Sequence, residues 1–177
     1  MMTSLVITVI GPDRPGLVSA ISDKAAEFGA NWADSLMANL AGQFAGIVHL
    51  QVPAKNAEAL MAALRNLESP GMRIAVAKGV DTSGAAPTRR IKLDLVGQDR
   101  PGIIRSISNQ LAQRGISIEK LKTEISSGAM SGEQMFQMNA LLVAPASLDD
   151  DDLRNGLEGL ANELMVDISL DDSKDAH

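Results

Sequence analysis

Two short stretches of this chain carry residues that could hold a small charged molecule. Gly11-Pro12-Asp13-Arg14-Pro15-Gly16 recurs 86 residues later as Gly97-Gln98-Asp99-Arg100-Pro101-Gly102. Each copy closes an alternating apolar run and opens a run of helical period, which makes it a strand-to-helix turn. Free N–H groups at a helix start attract a carboxylate or phosphate, and the glycines remove side chains that would keep a ligand away from the backbone. The Asp of each copy is an acceptor suited to an ammonium group. Such a turn can address both ends of a small amino acid. Read structurally, Pro15 and Pro101 fit the first helical position, and Asp13 and Asp99 sit where a side chain caps a helix. On the residues alone, a well-capped corner and a ligand site remain equal alternatives.

The elements around the turn repeat with it. Leu5, Ile7 and Val9 alternate with Val6, Thr8 and Ile10, and Ile91, Leu93 and Leu95 alternate with Lys92, Asp94 and Val96, a period of two that predicts a strand in each half. The first set is apolar in both copies and should face the core. Leu17, Ile21, Ala25 and Phe28, like Ile103, Ile107 and Leu111, recur at helical spacing, and Gly29 and Gly115 stand where each helix should stop. A hairpin follows, Asn31–Leu40 and 44–52 about Ala41-Gly42 in the first copy, 117–125 and 135–143 about a longer 126–133 loop in the second. Phe44 then matches Phe136. Second helices are marked by Leu60, Leu64 and Leu67 and by Leu153, Leu157 and Leu160, and last strands by 72–76 and 165–170.

The chain thus reads as two α+β domains, 1–80 and 90–171, with a linker at 81–89 and a polar tail at 172–177. Each is strand-helix-strand-strand-helix-strand. Right-handed crossovers place both helices on one face of an antiparallel four-stranded sheet, the ferredoxin-like arrangement.

Composition excludes several function classes. A net charge of -6 gives no basic stripe for nucleic acid, and one Trp and three Phe offer no stacking platform for bases. Without Cys there is no disulfide, thiol nucleophile or thiolate metal site. No signal peptide is visible and no apolar run reaches the length of a membrane span, so a cytoplasmic protein is expected. Walker, Gly-x-Gly-x-x-Gly and Gly-x-Ser-x-Gly motifs are absent, and no Ser/His/Asp set is expected to assemble. His49, out of phase with Phe44, Val48 and Leu50, should be a surface residue on the far side from the helices, and His177 lies in the tail. The acids at 149–152 could bind a divalent ion, but helix capping by Ser147 with Asp150 three residues on is favoured. Met130, Met135 and Met138 fit a loop and a packed strand better than a soft-metal site. No catalytic residue, metal or cofactor is expected.

The Asp-Arg-Pro-Gly turn within a unit of this size resembles that of the ACT domain, a regulatory module that binds amino acids. Two such units and nothing else, with Gly128-Ala129-Met130-Ser131-Gly132 before Met135-Phe136, resemble the glycine cleavage system transcriptional repressor family. The resemblance covers essentially the whole chain. It implies a non-catalytic regulator, with domains paired through sheet edges and ligands held at that interface. Carried over, the ligand-binding positions are Gly11, Asp13, Arg14, Pro15, Gly16 and Asn31, then Gly97, Asp99, Arg100, Pro101, Gly102 and Ser117. Asn31 both donates and accepts whereas Ser117 is shorter, so the first site is the better equipped. The implied partners are a small amino acid, with glycine suggested by the family name alone, and a DNA-binding protein that carries the effect to DNA; homo-oligomers fit the same picture. Other classes remain: a ligand-free assembly module, or the regulatory subunit of an amino-acid or one-carbon enzyme.

Overall fold

The computed structural model describes residues 1–69, 71–80, 84–128 and 132–172. The chain divides into two units, Met1–Ser83 and Gly84–His177. In the first, β1 (Met2–Pro12), α1 (Leu17–Glu27), β2 (Asn31–Leu40), β3 (Gln43–Pro53), α2 (Ala57–Arg65) and β4 (Arg73–Lys78) form a sheet of order β2-β3-β1-β4. In the second, β5 (Thr88–Gln98), α3 (Ile103–Gln113), β6 (Ser117–Ser127), β7 (Gln134–Pro145), α4 (Asp150–Leu164) and β8 (Val166–Asp172) repeat it as β6-β7-β5-β8. All neighbours are antiparallel. Both units are ferredoxin-like, as the order of elements predicts.

The alternation in β1 and β5 sorts the faces as expected. Leu5, Ile7 and Val9 are fully buried with Ile21, Ala25, Val48, Leu50, Leu60 and Leu64. Ile91, Leu93 and Leu95 meet Ile107, Leu111, Leu142, Leu153 and Leu157 in the second core. Gly29 and Gly115 both take φ 68, a left-handed conformation that lets α1 and α3 end where the next strand must begin. The register confirms the hairpin match, since Phe44 lies opposite Gly11 and Phe136 opposite Gly97. Met138 is a core residue and Met135 half-buried; Met130 and His177 lie outside the described residues.

Three local readings change. Strand β5 takes in Thr88 and Arg89, assigned above to the linker, because they continue the ladder opposite Pro145 and Ala144. Arg89 is further held by Asp150 and Asp172. Leu67 packs on the core from beyond the end of α2. Helix α4 is capped by Asp149 rather than Ser147: its carboxylate accepts from the Asp151 N–H at 2.9 Å. The neighbouring acids have protein partners, Asp150 with Arg89 and Asp152 with Arg114, so helix capping and ion pairs account for this acidic run.

Candidate ligand site at the repeated turn

The turn is built differently from the expectation. Helices α1 and α3 begin at Leu17 and Ile103, and Gly16 and Gly102 are their N-caps, with φ 92 and 98 and ψ near zero. Those angles belong to the third position of a type II turn, with proline at the position before it. Pro15 and Pro101 therefore precede the cap instead of opening the helix. They pre-set the turn, and the glycine after each supplies a conformation other residues adopt only under strain. The first helical bonds run from Ala20 N–H to the Gly16 carbonyl and from Ser106 N–H to the Gly102 carbonyl, both 2.9 Å. The amides of Leu17, Val18 and Ser19 lie ahead of that bond, at the positive end of the helix.

Neither Asp caps a helix through its side chain. Asp13 instead accepts at 2.6 Å from the Asn39 amide near the tip of the β2–β3 hairpin, and its own N–H donates to the Gly42 carbonyl at 3.3 Å. The turn is thereby tied to the hairpin. Asn39 engages one carboxylate oxygen and leaves the other as an acceptor. Arg14 reaches across to donate to the Ser69 hydroxyl at 2.9 Å. Asp13, Arg14, Gly16, Leu17, Val18, Ser19 and Phe44 together line an open cavity of about 160 Å³. An acid, a guanidinium and a helix N-terminus thus share one recess with an apolar side.

The second turn has the same backbone and different surroundings. Asp99 N–H donates to the Gln134 carbonyl at 2.8 Å. The register puts Ile125 opposite Phe136 where Asn39 stands opposite Phe44, and an isoleucine cannot tether a carboxylate. Phe136 is buried where Phe44 is only half-buried, and Arg105 replaces Ser19.

Gly11 and Gly97 serve packing. A Cβ on Gly11 would lie 3.1 Å from the Met72 Cα, and one on Gly97 would lie 2.5 Å from Val166 Cγ1. Each glycine lets the start of the last strand press against the end of the first.

Asn31 does not join the turn of its own unit. It pairs with Gln51, which lies across from Ser4, whereas the turn follows Pro12. Eight residues of strand separate the two rows, about 26 Å. Ser117 is likewise opposite Val143, itself across from Arg90 and far from Asp99. The start-of-β2 and start-of-β6 positions therefore stand apart from the turn of their own unit.

The expectation that no Ser/His/Asp set assembles is corrected. His49 does face away from the helices, and there its Nε2 lies 3.0 Å from Ser4 Oγ while its Nδ1 lies 3.6 Å from the Asp34 carboxylate. Three adjacent strands bring together residues that the sequence scatters. Asp34 is highly exposed and beyond hydrogen-bond reach of the ring, and the Ser4 carbonyl accepts from Gly79 N–H at 2.8 Å. A Cβ on Gly79 would lie 2.7 Å from Ser4 Cβ, so backbone crowds the serine from β4's end of the sheet. The set is a surface hydrogen-bonded group without the buried, oriented acid that nucleophilic catalysis uses.

The fold and the turn define a protein of two ferredoxin-like units, and the comparisons give the family of the first. Residues 3–76, within the first unit, match the model of the ACT domain, and the second unit repeats the same sheet order and fold. An unknown protein from Galdieria sulphuraria is 31% identical, with a TM-score of 0.84, over 97% of this chain and 99% of that one. A proposed glycine cleavage system transcriptional repressor, 19% identical, aligns over 97% of each chain with a TM-score of 0.65 and shares the fold of both units. No curated protein matches. Among the described residues, no helix is long and apolar enough to cross a membrane.

Proposed function

We propose that this protein is a non-catalytic amino-acid sensor whose ligand binds at the first turn. The observation that carries the reading is the cavity in which Asp13, Arg14 and the start of α1 converge. A ligand ammonium would take the free oxygen of Asp13. Its carboxylate would take remaining Arg14 donors and the N–H groups of Leu17, Val18 and Ser19, an arrangement that oriented donors and the helix dipole favour. Leu17, Val18 and Phe44 leave apolar room for a small side chain or none. Gly16 lines the recess, Pro15 pre-sets the turn that forms it, and Gly11 lets the last strand close against the end of the first. Gly97, Asp99, Arg100, Pro101 and Gly102 form a weaker second site that lacks the Asn39 tether. Asn31 and Ser117, at the far end of their sheets from the turns, take no part in this site.

The whole-chain likeness in fold to a proposed glycine cleavage system transcriptional repressor supports a role in which ligand binding alters contact with a DNA-binding protein. The chain's own acidity disfavours direct DNA contact. Glycine is the first ligand to try. Thermal unfolding against a panel of amino acids tests the reading: one of them should raise the midpoint of the wild type and leave Asp13→Ala unmoved. No shift with any amino acid at millimolar concentration would overturn it.

A second reading, a ligand-free assembly module, is favoured by the Asp13–Asn39 bond, which already employs the acid structurally. It predicts that Asp13→Ala and Asn39→Ala destabilise alike and that neither changes a small-molecule response.

A further inference from the structure

The two units present unlike sheet faces on the side away from their helices. In the second unit the register puts Lys92, Asp94, Lys120, Lys122, Glu124 and Asp167 on that face. In the first unit the equivalent face carries Val6, Ile10, Leu36 and Ile47, with Thr8, His49 and alanines such as Ala45 and Ala75 between them. Ile10, Leu36 and Ile47 keep 47%, 50% and 47% of their surface exposed. Charge is divided in the same way. Residues 1–80 hold six Lys/Arg and six Asp/Glu, so the net charge of -6 resides wholly in the remainder of the chain. A neutral unit with an apolar face is suited to association, since like units do not repel.

We propose that this face of the first unit docks on the same face of a second copy of the chain, sheet on sheet, about a two-fold axis. Two observations select a second copy. The charges that rim the apolar rows are Asp34 on β2 and Arg73 on β4, at diagonally opposite corners. They are three strands and four residues apart, about 14 Å across the sheet and about 13 Å along it. That diagonal lies near 45° to the strands. A two-fold axis along the other diagonal therefore crosses the two sheets at about 90°, one of the two standard sheet packings, and sets each Asp34 against the partner copy's Arg73. The face is complementary to itself in charge as well as in apolarity.

The area suits a weak dimer. Four strands and three rows of outward residues cover about 400 Å² per copy, so that two copies bury about 800 Å², the range of weak, transient interfaces. The dimer is accordingly weak and concentration-dependent. This face is distinct from the sheet edges, and its use does not depend on a ligand at the turn.

Sedimentation equilibrium of the full chain over a range of concentrations tests the proposal. A monomer–dimer equilibrium is expected. Ile47→Glu should weaken it at least about tenfold by burying a charge at the centre of the face. Asp34→Arg alone, and Arg73→Asp alone, should each weaken it about tenfold by setting like charges together. The double charge exchange, or an equimolar mixture of the two single variants, should restore it. All three positions are exposed, and circular dichroism with thermal unfolding checks that each variant folds. A chain monomeric at every concentration, a dimer indifferent to Ile47→Glu, or single charge variants that the exchange does not rescue would each overturn it.

Discussion

Replacement of Gly97 by alanine separates a packing role for the repeated turn from a conformational one. Gly97, next to the last residue of β5, lies opposite Val166, the first residue of β8. A Cβ there would lie 2.5 Å from Val166 Cγ1, 2.9 Å from its Cβ and 3.0 Å from its Cα. Two of those atoms move only with the chain, so turning the valine side chain cannot relieve the contact. Overpacking of this kind costs about 1–3 kcal/mol, and backbone involvement puts Gly97→Ala toward the upper end. For a unit of this size, about 2 kcal/mol lowers the unfolding midpoint by about 8–16 °C. The equivalent Gly11→Ala meets Met72 no closer than 3.1 Å, which a small shift accommodates, at about 1 kcal/mol or less. Urea unfolding followed by circular dichroism, with each variant compared with the wild type, measures both. Equal losses in the two variants, or a loss below about 0.5 kcal/mol in Gly97→Ala, would refute the argument that close approach of the last strand fixes this glycine.

Other expectations follow from single contacts. Ala41 holds φ 51 beside Gly42 at φ 78 in the two-residue hairpin turn; Ala41→Gly or Ala41→Asn should stabilise the first unit by up to about 1 kcal/mol in urea titrations, because these residues enter the left-handed region at less cost. Gly16→Ala places its Cβ in open space, so its loss of about 1–2 kcal/mol is conformational only, and Gly102→Ala should match it. Arg89, by its hydrogen bond and charge, holds the Asp150 carboxyl below its ordinary range. A lowered folded pKa contributes stability that is present above the unfolded value and lost as pH falls through the folded one. Thermal midpoints should therefore fall more steeply on the acid side of about pH 4 in the wild type than in Asp150→Asn. Asn39→Ala should cost about 0.5–1.5 kcal/mol through the lost bond to Asp13, yet should keep the amino-acid response because the carboxylate remains.

The repeat made the fold legible. Two copies of one pattern, apolar at Leu5, Ile7 and Val9 and again at Ile91, Leu93 and Leu95, identify which face is buried without any structural information. The details of the turn were not legible because two devices compete for the same residues. A Pro before a helical run opens a helix in many proteins, but here Pro15 is followed by Gly16, whose positive φ delays the helix to Leu17. Likewise an Asp near a helix start is a natural cap. Asp13 turns away because Asn39, 26 residues on, is brought beside it by the hairpin. Only the paired register of β2 and β3 shows that contact, and only that of β6 and β7 shows why Ile125 leaves Asp99 without the same tether. The cluster of Ser4, Asp34 and His49 escaped for the same reason, each residue arriving from a different strand. The asymmetry of the outer faces was half visible: Lys92 and Asp94 against Val6 and Ile10 announce it in one strand, but the corner charges Asp34 and Arg73 require the whole sheet.

The central claim is that the first turn binds an amino acid, and titration calorimetry of the full chain tests it most directly. Glycine and the amino acid giving the largest thermal shift would be titrated into the wild type, Asp13→Ala, Asn39→Ala and Asp99→Ala. Binding heat should appear in the wild type, survive in Asn39→Ala and Asp99→Ala, and vanish in Asp13→Ala. Absence of heat in the wild type, or a titration unchanged by Asp13→Ala, would contradict the account and leave the turn as a corner that holds strand, helix and hairpin together.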